Sequence, residues 1–343
     1  MRFTLDGGKS LERHLGSICA KALELVQECN PRIDGLLLGG GYGRGEGGVL
    51  RAVNGDQPYN DLDFYVFMPG TRWINEKCHG RALHRAGEEL TSIAGIEVEF
   101  KIESLARLRR APISMFSYDF LAGHRWVKGD DALLRGCEHH LQAENIPLHE
   151  GARLLLNRCS GLLFATEPTQ SADFIRRNIA KAQLALGDAV LTRFGKYHWS
   201  CLEREQRVHA LFIDAPWWNG VQRHHAIGVE FKLHPYRSTE SREELVREHQ
   251  AVCALARQVW LWFESYRLSE PFGSVQEYVA SEANKCPETR ALKNLLINMK
   301  EFGRPSFRYP RERLFNSCPT LLWESRPAPE SIGDYQSIWR RFS

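Results

Sequence analysis

Two aspartates at the start of an apolar run are the residues best suited to chemistry. The stretch "NDLDFYVF" (60–67) places Asp61 and Asp63 two positions apart, in a run rich in β-forming residues. On a strand such residues project to the same face, so both carboxylates can share divalent metal ions. Carboxylate oxygens are hard ligands suited to Mg²⁺. The alternative is turn chemistry, in which Asn60 and Asp61 only close a loop.

A second pair of carboxylates lies on another candidate strand. The stretch "IEVEFKI" (96–102) alternates apolar and charged residues and puts Glu97 and Glu99 on one face. If this strand lies beside that of Asp63, one of these glutamates completes the site. Otherwise both belong to the solvated face of an edge strand. Two metal ions held by such carboxylates would activate a hydroxyl and stabilise leaving pyrophosphate in an in-line displacement at phosphorus.

A glycine-rich segment, "LLLGGGYGRGEGG" (36–48), precedes the aspartates. Gly40 and Gly41 would let backbone N–H groups approach a triphosphate without a Cβ in the way. Arg44 is a candidate phosphate ligand, and its alternative role is an exposed ion pair with Glu46. This segment is therefore the predicted nucleotide-binding loop.

Two other phosphate-binding patterns fit the glycines less well. A Walker A loop needs GxxxxGK[ST], and the only Gly-Lys-Ser, at 8–10, has no glycine at the required distance before it. Gly43, Gly45 and Gly48 do match the dinucleotide pattern G-x-G-x-x-G. That pattern must open a helix of several turns, whereas 49–60 contains glycine and proline and no helical stripe.

The ordered set of motifs carries a family resemblance. "GGYGRGE" (40–46), "NDLDFYVF" (60–67) and "VEFKI" (98–102) together resemble the signature of the polymerase-beta-like nucleotidyltransferase superfamily, and most closely its small bacterial members such as antibiotic nucleotidyltransferases. The resemblance covers roughly residues 10–200. It implies that Asp61, Asp63 and Glu99 are the catalytic carboxylates and the ligands of two Mg²⁺ ions, with Mn²⁺ as a substitute. Gly41 departs from the serine often found there.

The same resemblance implies an activity. The expected reaction moves a nucleoside monophosphate from a nucleoside triphosphate, with ATP as the expected donor, onto a hydroxyl of a small molecule or protein and releases pyrophosphate. One alternative is a transferase that joins nucleotides into oligonucleotides. Another is a nucleotide-binding regulator that kept the fold and lost the chemistry.

A second, weaker resemblance lies further along the chain. "KAQLALGDAVLTRFGKYHWSCLER" (181–204) is similar to a helix and loop in the helical domains of related transferases. It implies that Lys181 binds phosphate; the alternative is an exposed helix lysine. Asp188 is expected in a local network. Two histidine pairs, at 139–140 and 224–225, lack metal-ligand spacing and are expected on the surface.

The periodicity predicts an α+β protein. Strands are expected at 35–39, 62–68, 96–102 and 124–130, and long helices at 148–165, 173–194 and 242–266. Between the second and third strands, a helix is expected to carry the apolar residues Ile74, Leu83, Ala86, Leu90 and Ile93. Residues 1–145 are expected to form a nucleotidyltransferase-type catalytic domain with a mixed sheet and helices, and 146–304 an α-helical bundle, with the active site in the cleft between them. Residues 305–343 contain five prolines, which exclude a long helix, so this segment is expected to pack on the body. A first helix is expected after a Ser10 cap and is ended by Asn30-Pro31.

The amino-acid composition limits the class of protein and the partners that can be expected. The chain has 343 residues, of which 43% are apolar and 25% charged, as in a globular protein. Its net charge of +3 disfavours a polyanion such as nucleic acid as the main partner. Nine cysteines without a CxxC pattern indicate reduced thiols. The absence of a signal-peptide pattern and of a long apolar run predicts a cytoplasmic protein without a membrane partner.

Overall fold

The computed structural model describes residues 2–324 and 329–343. These residues form an α+β protein with a small mixed sheet and many helices, as predicted. The chain divides into two compact units. The first unit comprises Met1–Ile146, Tyr197–Arg204 and Val229–Tyr236, and the second comprises Pro147–Lys196, Glu205–Gly228 and Arg237–Ser343.

The first unit holds all six strands and five helices of the described N-terminal region. The strands are β1 (Gly35–Leu38), β2 (Val49–Ala52), β3 (Gly55–Pro58), β4 (Leu62–Phe67), β5 (Val98–Glu103) and β6 (Arg125–Lys128). The helices are α1 (Lys9–Cys29), α2 (Gly40–Arg44), α3 (Arg72–Ala94), α4 (Leu105–Leu108) and α5 (Met115–Ala122). Three short 3₁₀ turns follow at Asp131–Leu134, Glu138–Leu141 and Ala143–Asn145.

Four strands form one sheet in the order β5-β4-β1-β6, and β2 pairs with β3 in a separate hairpin. β4 runs parallel to β5, whereas β1 is antiparallel to both β4 and β6. The helix α3 supplies the crossover that a parallel pair needs. The strands predicted at 35–39, 62–68, 96–102 and 124–130 are thus confirmed to within a few residues.

Both faces of this sheet are covered, which explains why β1 is apolar throughout. Leu36 and Leu38 pack with α1 and α3 on one face, and Leu37 packs with Phe120 of α5 on the other. A strand buried on two sides reads as a continuous apolar run. Asp63 shares the α5 face of β4 with Tyr65, because side chains on a strand alternate.

The first helix is longer at its start than predicted. α1 begins at Lys9 and its N-cap is Gly8, whose N–H donates to Asp56 Oδ2 at 2.6 Å. Ser10 therefore lies inside the helix, and the predicted Ser10 cap is wrong. Of the apolar residues assigned to α3, Ile74 and Ile93 are exposed.

The second unit is helical. Its elements are α6 (Leu148–Phe164), α7 (Ala172–Arg193), α8 (Cys201–Ala210), α9 (Trp218–Leu233), α10 (Arg242–Leu268), α11 (Val275–Ala280), α12 (Ala291–Phe302), α13 (Arg311–Pro319), a π-helical turn at Thr320–Glu324 and α14 (Pro329–Phe342). The first residues of α8 and the last residues of α9 belong to the first unit. α6, α7 and α10 pack against one another. A capping box between Ser241 and Glu244 starts α10.

The expectation of no long helix after residue 305 is wrong. α14 runs for 14 residues, and α13 precedes it. Pro310 is the N-cap of α13 and Pro329 begins α14, where a helix has no partner for an N–H, so neither interrupts a helix. Pro319 lies inside a helical run, at the point where α13 changes into the π-helical turn. Pro327 lies outside the described residues.

Two glycines of α3 give a matched test of its packing on β5. A Cβ at Gly87 would lie 2.7 Å from the carbonyl oxygen of Val98, whereas a Cβ at Gly80 would meet nothing within 4 Å. We expect Gly80→Ala to stabilise the protein by up to about 1 kcal/mol through helix propensity. Gly87→Ala should destabilise it by about 1–3 kcal/mol, because the helix must shift away from the strand. Chemical unfolding of both variants measures the difference, and equal effects would contradict this packing.

Candidate active site

The pairing of β4 with β5 brings two of the three predicted carboxylates together. Asp63 lies directly opposite Glu99 in the parallel register, and both side chains project to the same face. Lys101, two residues further along β5, places its Nζ 2.6 Å from Asp63 Oδ1 and 3.0 Å from Glu99 Oε2. One ammonium group therefore bridges both carboxylates.

Burial and neighbouring charges shift the pKa values of Asp63 and Lys101 in opposite directions. Burial raises the pKa of Asp63, and Lys101 opposes it, but the pKa remains raised on balance. Burial lowers the pKa of Lys101, yet its hydrogen bonds to Asp63 and Glu99 outweigh this and raise it. The lysine is therefore a firmly charged counter-ion, and Asp63 is a better proton acceptor than an exposed aspartate.

Asp61 lies one residue before β4 and is exposed. The three carboxylates have the ligand chemistry that Mg²⁺ requires, and two of them already converge on one cation, the Lys101 ammonium. Within residues 2–324 and 329–343, no group of three or more histidine, cysteine or acidic side chains is arranged to hold a metal ion. The donor types fit magnesium, and Asp61 is the ligand that would have to join the other two.

The glycine segment turns directly from β1 onto these carboxylates. Gly40 has a φ of +64°, a left-handed conformation that side chains other than glycine rarely adopt. A Cβ at Gly40 would lie 3.7 Å from Asp63 Oδ2, and the N–H of Gly39 donates to the carbonyl oxygen of Asp63 at 2.9 Å. At Gly41, a Cβ would lie 3.0 Å from the carbonyl oxygen of Glu46.

Close backbone packing accounts for at least one further glycine. A Cβ at Gly43 would lie 2.2 Å from the carbonyl oxygen of Leu38, which no side chain could tolerate. The segment after the glycines is the β2–β3 hairpin, whereas a dinucleotide-binding turn opens a long helix. The hairpin excludes the dinucleotide interpretation.

Arg44 ends the short helix α2 and pairs with an acid that the sequence did not indicate. Its Nη1 lies 3.0 Å from Asp119 Oδ2, and Tyr197 also donates to that oxygen at 3.1 Å. The predicted alternative of an ion pair with Glu46 is wrong. Burial raises the pKa of Asp119, with Arg44 as the strongest opposing charge.

Glu46 is buried and faces a different set of partners. Its carboxylate accepts hydrogen bonds from Ser200 Oγ and from the N–H of Cys201, and its Oε2 lies 3.8 Å from Lys232 Nζ. The Lys232 Nζ is buried and makes no hydrogen bond within the described part of the chain. Burial lowers the pKa of Lys232, and Arg44 lowers it further. The loop is thus anchored by buried charges.

A cavity of about 600 Å³ opens beside the carboxylates. It lies between α3 and the edge strand β5, and its lining includes Glu99 and Lys101 together with His84 and Glu88. The space borders Glu99 and Lys101 but not Asp63, so a small molecule held there would lie next to one carboxylate of the pair and to the lysine that bridges them.

The remaining candidates lie in the second unit. Lys181 is on α7 with an exposed side chain. Asp188 is in a local network as expected, with its Oδ1 3.1 Å from His225 Nε2. The prediction of surface histidine pairs is wrong for three of four residues, because His140 of the first unit and both His224 and His225 are buried.

Sequence reasoning missed Lys101, Asp119 and Lys232. Lys101 could have been found, because it follows Glu99 by two residues on a strand and must share its face. Asp119 and Lys232 gave no such signal, since their partners lie 75 and 186 residues away in the chain.

The comparisons with known proteins do not identify the chain. No protein-family model matches it, and no curated protein matches it. Across the described ranges, none of the helices has both the length and the apolar character that a membrane span requires.

The anchoring of Glu46 predicts a pH-dependent stability. Burial raises the pKa of Glu46, but Lys232, Ser200 and Cys201 lower it below its ordinary value of 4.5 on balance. The stabilisation is therefore fully present above pH 4.5 and is lost as the pH falls through the folded-state value. Glu46→Gln should cost about 3 kcal/mol of unfolding free energy at neutral pH, because it leaves Lys232 buried without a counter-charge.

Unfolding by denaturant at several pH values measures this effect. The gap between wild type and Glu46→Gln should narrow as the pH falls below 4.5. Glu76→Gln is the control, since Glu76 forms an exposed ion pair with Arg72 and its loss should cost less than about 1 kcal/mol. A gap that stays constant with pH would show that the ionised form of Glu46 has no such role.

Proposed function

We propose that the protein is a magnesium-dependent nucleotidyltransferase with a nucleotidyltransferase fold in its first unit. It would move a nucleoside monophosphate, with ATP as the expected donor, onto a hydroxyl group and release pyrophosphate. The observation that carries the proposal is the placement of Asp63 opposite Glu99 with the left-handed Gly40 beside the Asp63 carboxylate. Paired carboxylates next to a glycine turn suit a site that handles phosphates and cations together.

In this proposal Asp61, Asp63 and Glu99 would hold Mg²⁺, which when bound supplies positive charge for the phosphate oxygens. Gly40 would keep a side chain away from the triphosphate, whereas Gly41 lets the loop pack closely on the Glu46 carbonyl. The transfer breaks the bond between the α- and β-phosphates, forms a bond from phosphorus to the acceptor oxygen and releases the hydroxyl proton. The hydroxyl proton passes to bulk water, because the Asp63 carboxylate would already be engaged as a ligand of the metal.

The cavity beside Glu99 provides room for the acceptor. Its volume of about 600 Å³ suits a small molecule or a side chain of a protein. Arg44 and Lys181 remain candidate nucleotide ligands. Arg44 would have to share its guanidinium between Asp119 and a phosphate, which a five-donor group allows.

The decisive test is nucleotide transfer by carboxylate variants. Asp63→Asn and Glu99→Gln change a charge but hardly a shape, so each should lower Mg²⁺-dependent transfer by about three orders of magnitude, roughly 4 kcal/mol. Glu97→Gln is the matched control, because Glu97 is exposed immediately before β5 and should leave the rate unchanged. The assay follows labelled ATP with a cell extract as the source of acceptor, and thermal melts confirm folding.

The outcomes separate the three candidate functions. Labelled small molecules or proteins that depend on Asp63 support the proposal. Labelled oligonucleotides formed from ATP alone would indicate the nucleotide-joining alternative. Binding of nucleotide without turnover of any of the four nucleoside triphosphates would indicate a regulator, and turnover by Asp63→Asn within threefold of wild type would overturn the carboxylate mechanism.

Lys101 offers a test that does not depend on activity. Its ammonium neutralises the carboxylates that would hold the metal, so Lys101→Met should leave two uncompensated negative charges at the site and tighten divalent-cation binding. We expect Mg²⁺ or Mn²⁺ to raise the Tm of Lys101→Met by more than it raises the Tm of wild type. Lys293→Met, at an exposed lysine of α12, is the control. An equal rise in all three proteins would contradict a metal site at Asp63 and Glu99.

A further inference from the structure

The second unit contains an open cavity of about 820 Å³ with aromatic walls. Its lining includes Trp217 before α9, and Trp262 and Tyr266 near the end of α10. The rings of Trp217 and Trp262 lie 5.3 Å apart between centroids at an interplanar angle of 71°. Trp218, the neighbour of Trp217, is instead buried in the core. Only Trp217 of this pair is therefore available to a ligand in the cavity.

An arginine is fixed against this wall. Arg193, the last residue of α7, places its guanidinium 3.5 Å from the ring centroid of Trp262 and 4.2 Å from that of Tyr266. Its Nη1 donates to the carbonyl oxygen of Trp262 at 3.3 Å. These contacts hold the planar group in one place, as a preorganised binding group requires.

The charge of Arg193 has no carboxylate partner in the part of the chain that the structure describes. Glu270 also lines the cavity, but among the described residues no ion pair joins it to Arg193, and its Oε2 instead accepts a hydrogen bond from Ser281 Oγ at 2.6 Å. Burial lowers the pKa of Arg193, and Tyr266 opposes this effect only in part. A guanidinium stays protonated under such conditions and therefore favours an anion.

These features restrict the ligand class. A cationic ligand would be repelled by Arg193, which already occupies the faces of Trp262 and Tyr266. A neutral aromatic molecule would pack on Trp217 but leave the guanidinium uncompensated. We propose that this cavity binds a planar aromatic anion, whose ring packs on Trp217 while its carboxylate or phosphate pairs with Arg193. The site lies within the second unit and does not depend on nucleotide transfer.

Tryptophan fluorescence of the full chain provides the test, because Trp217 and Trp262 form the wall. The probes are benzoate and phenyl phosphate, which distinguish the two kinds of anion, with benzamide as the neutral counterpart. We expect saturable quenching by at least one anion and binding of benzamide at least about tenfold weaker, the scale of one charge-assisted hydrogen bond.

Two variants assign the site. Arg193→Gln should weaken binding of the anion at least about tenfold, whereas Arg257→Gln, at an arginine elsewhere on α10, should bind like wild type. Trp217→Leu retains Arg193 and should also weaken binding, which keeps the test decisive if Arg193→Gln does not fold. Asp63→Asn should bind the probes like wild type. No saturable quenching at millimolar anion, benzamide binding as tight as the anions, or unchanged binding in Trp217→Leu would overturn the proposal.

Discussion

The parallel register of β4 on β5 is the constraint on which the candidate site depends. It sets Asp63 against Glu99 and brings Lys101 between them. A slip of one residue would turn the side chains of one strand to the opposite face and separate the charges. The register is fixed by burial, because Phe64 and Val66 of β4 must face α1 and α3. The apolar core on one face of the sheet therefore determines the chemistry on the other.

The conformation of the glycine loop also depends on close backbone packing and on buried charges. Gly43 allows α2 to approach the Leu38 carbonyl. Two residues of the loop then form ion pairs with distant parts of the chain, Arg44 with Asp119 and Glu46 with Lys232. Buried ion pairs add little net stability, but breaking one is costly, so they favour a single arrangement over near alternatives. We interpret these pairs as the elements that fix the loop beside Asp63.

Local sequence patterns predicted those helices and strands whose formation depends on residues close together in the chain. The β1 run and the alternation of β5 gave their strands, and periodic apolar residues gave α1, α6, α7 and α10. The sequence patterns did not predict burial where it depends on residues far away in the chain. His225 is buried, and Asp188 of α7 lies within hydrogen-bond distance of its ring. The spacing of two adjacent histidines cannot indicate such a distant partner. The helices after Pro305 failed for a different reason, since a proline's effect depends on its position within the helix.

The charge at the sheet edge restricts what can bind there. Asp61, Asp63 and Glu99 carry three negative charges, and Lys101 compensates one of them. A triphosphate is itself strongly anionic, so it cannot approach these carboxylates unless added cations offset the repulsion. Divalent metal ions are the groups that can bind carboxylates and phosphates at once. If the site handles nucleotides, it must therefore take up metal together with them, and Lys101 then sets how strongly the carboxylates attract that metal.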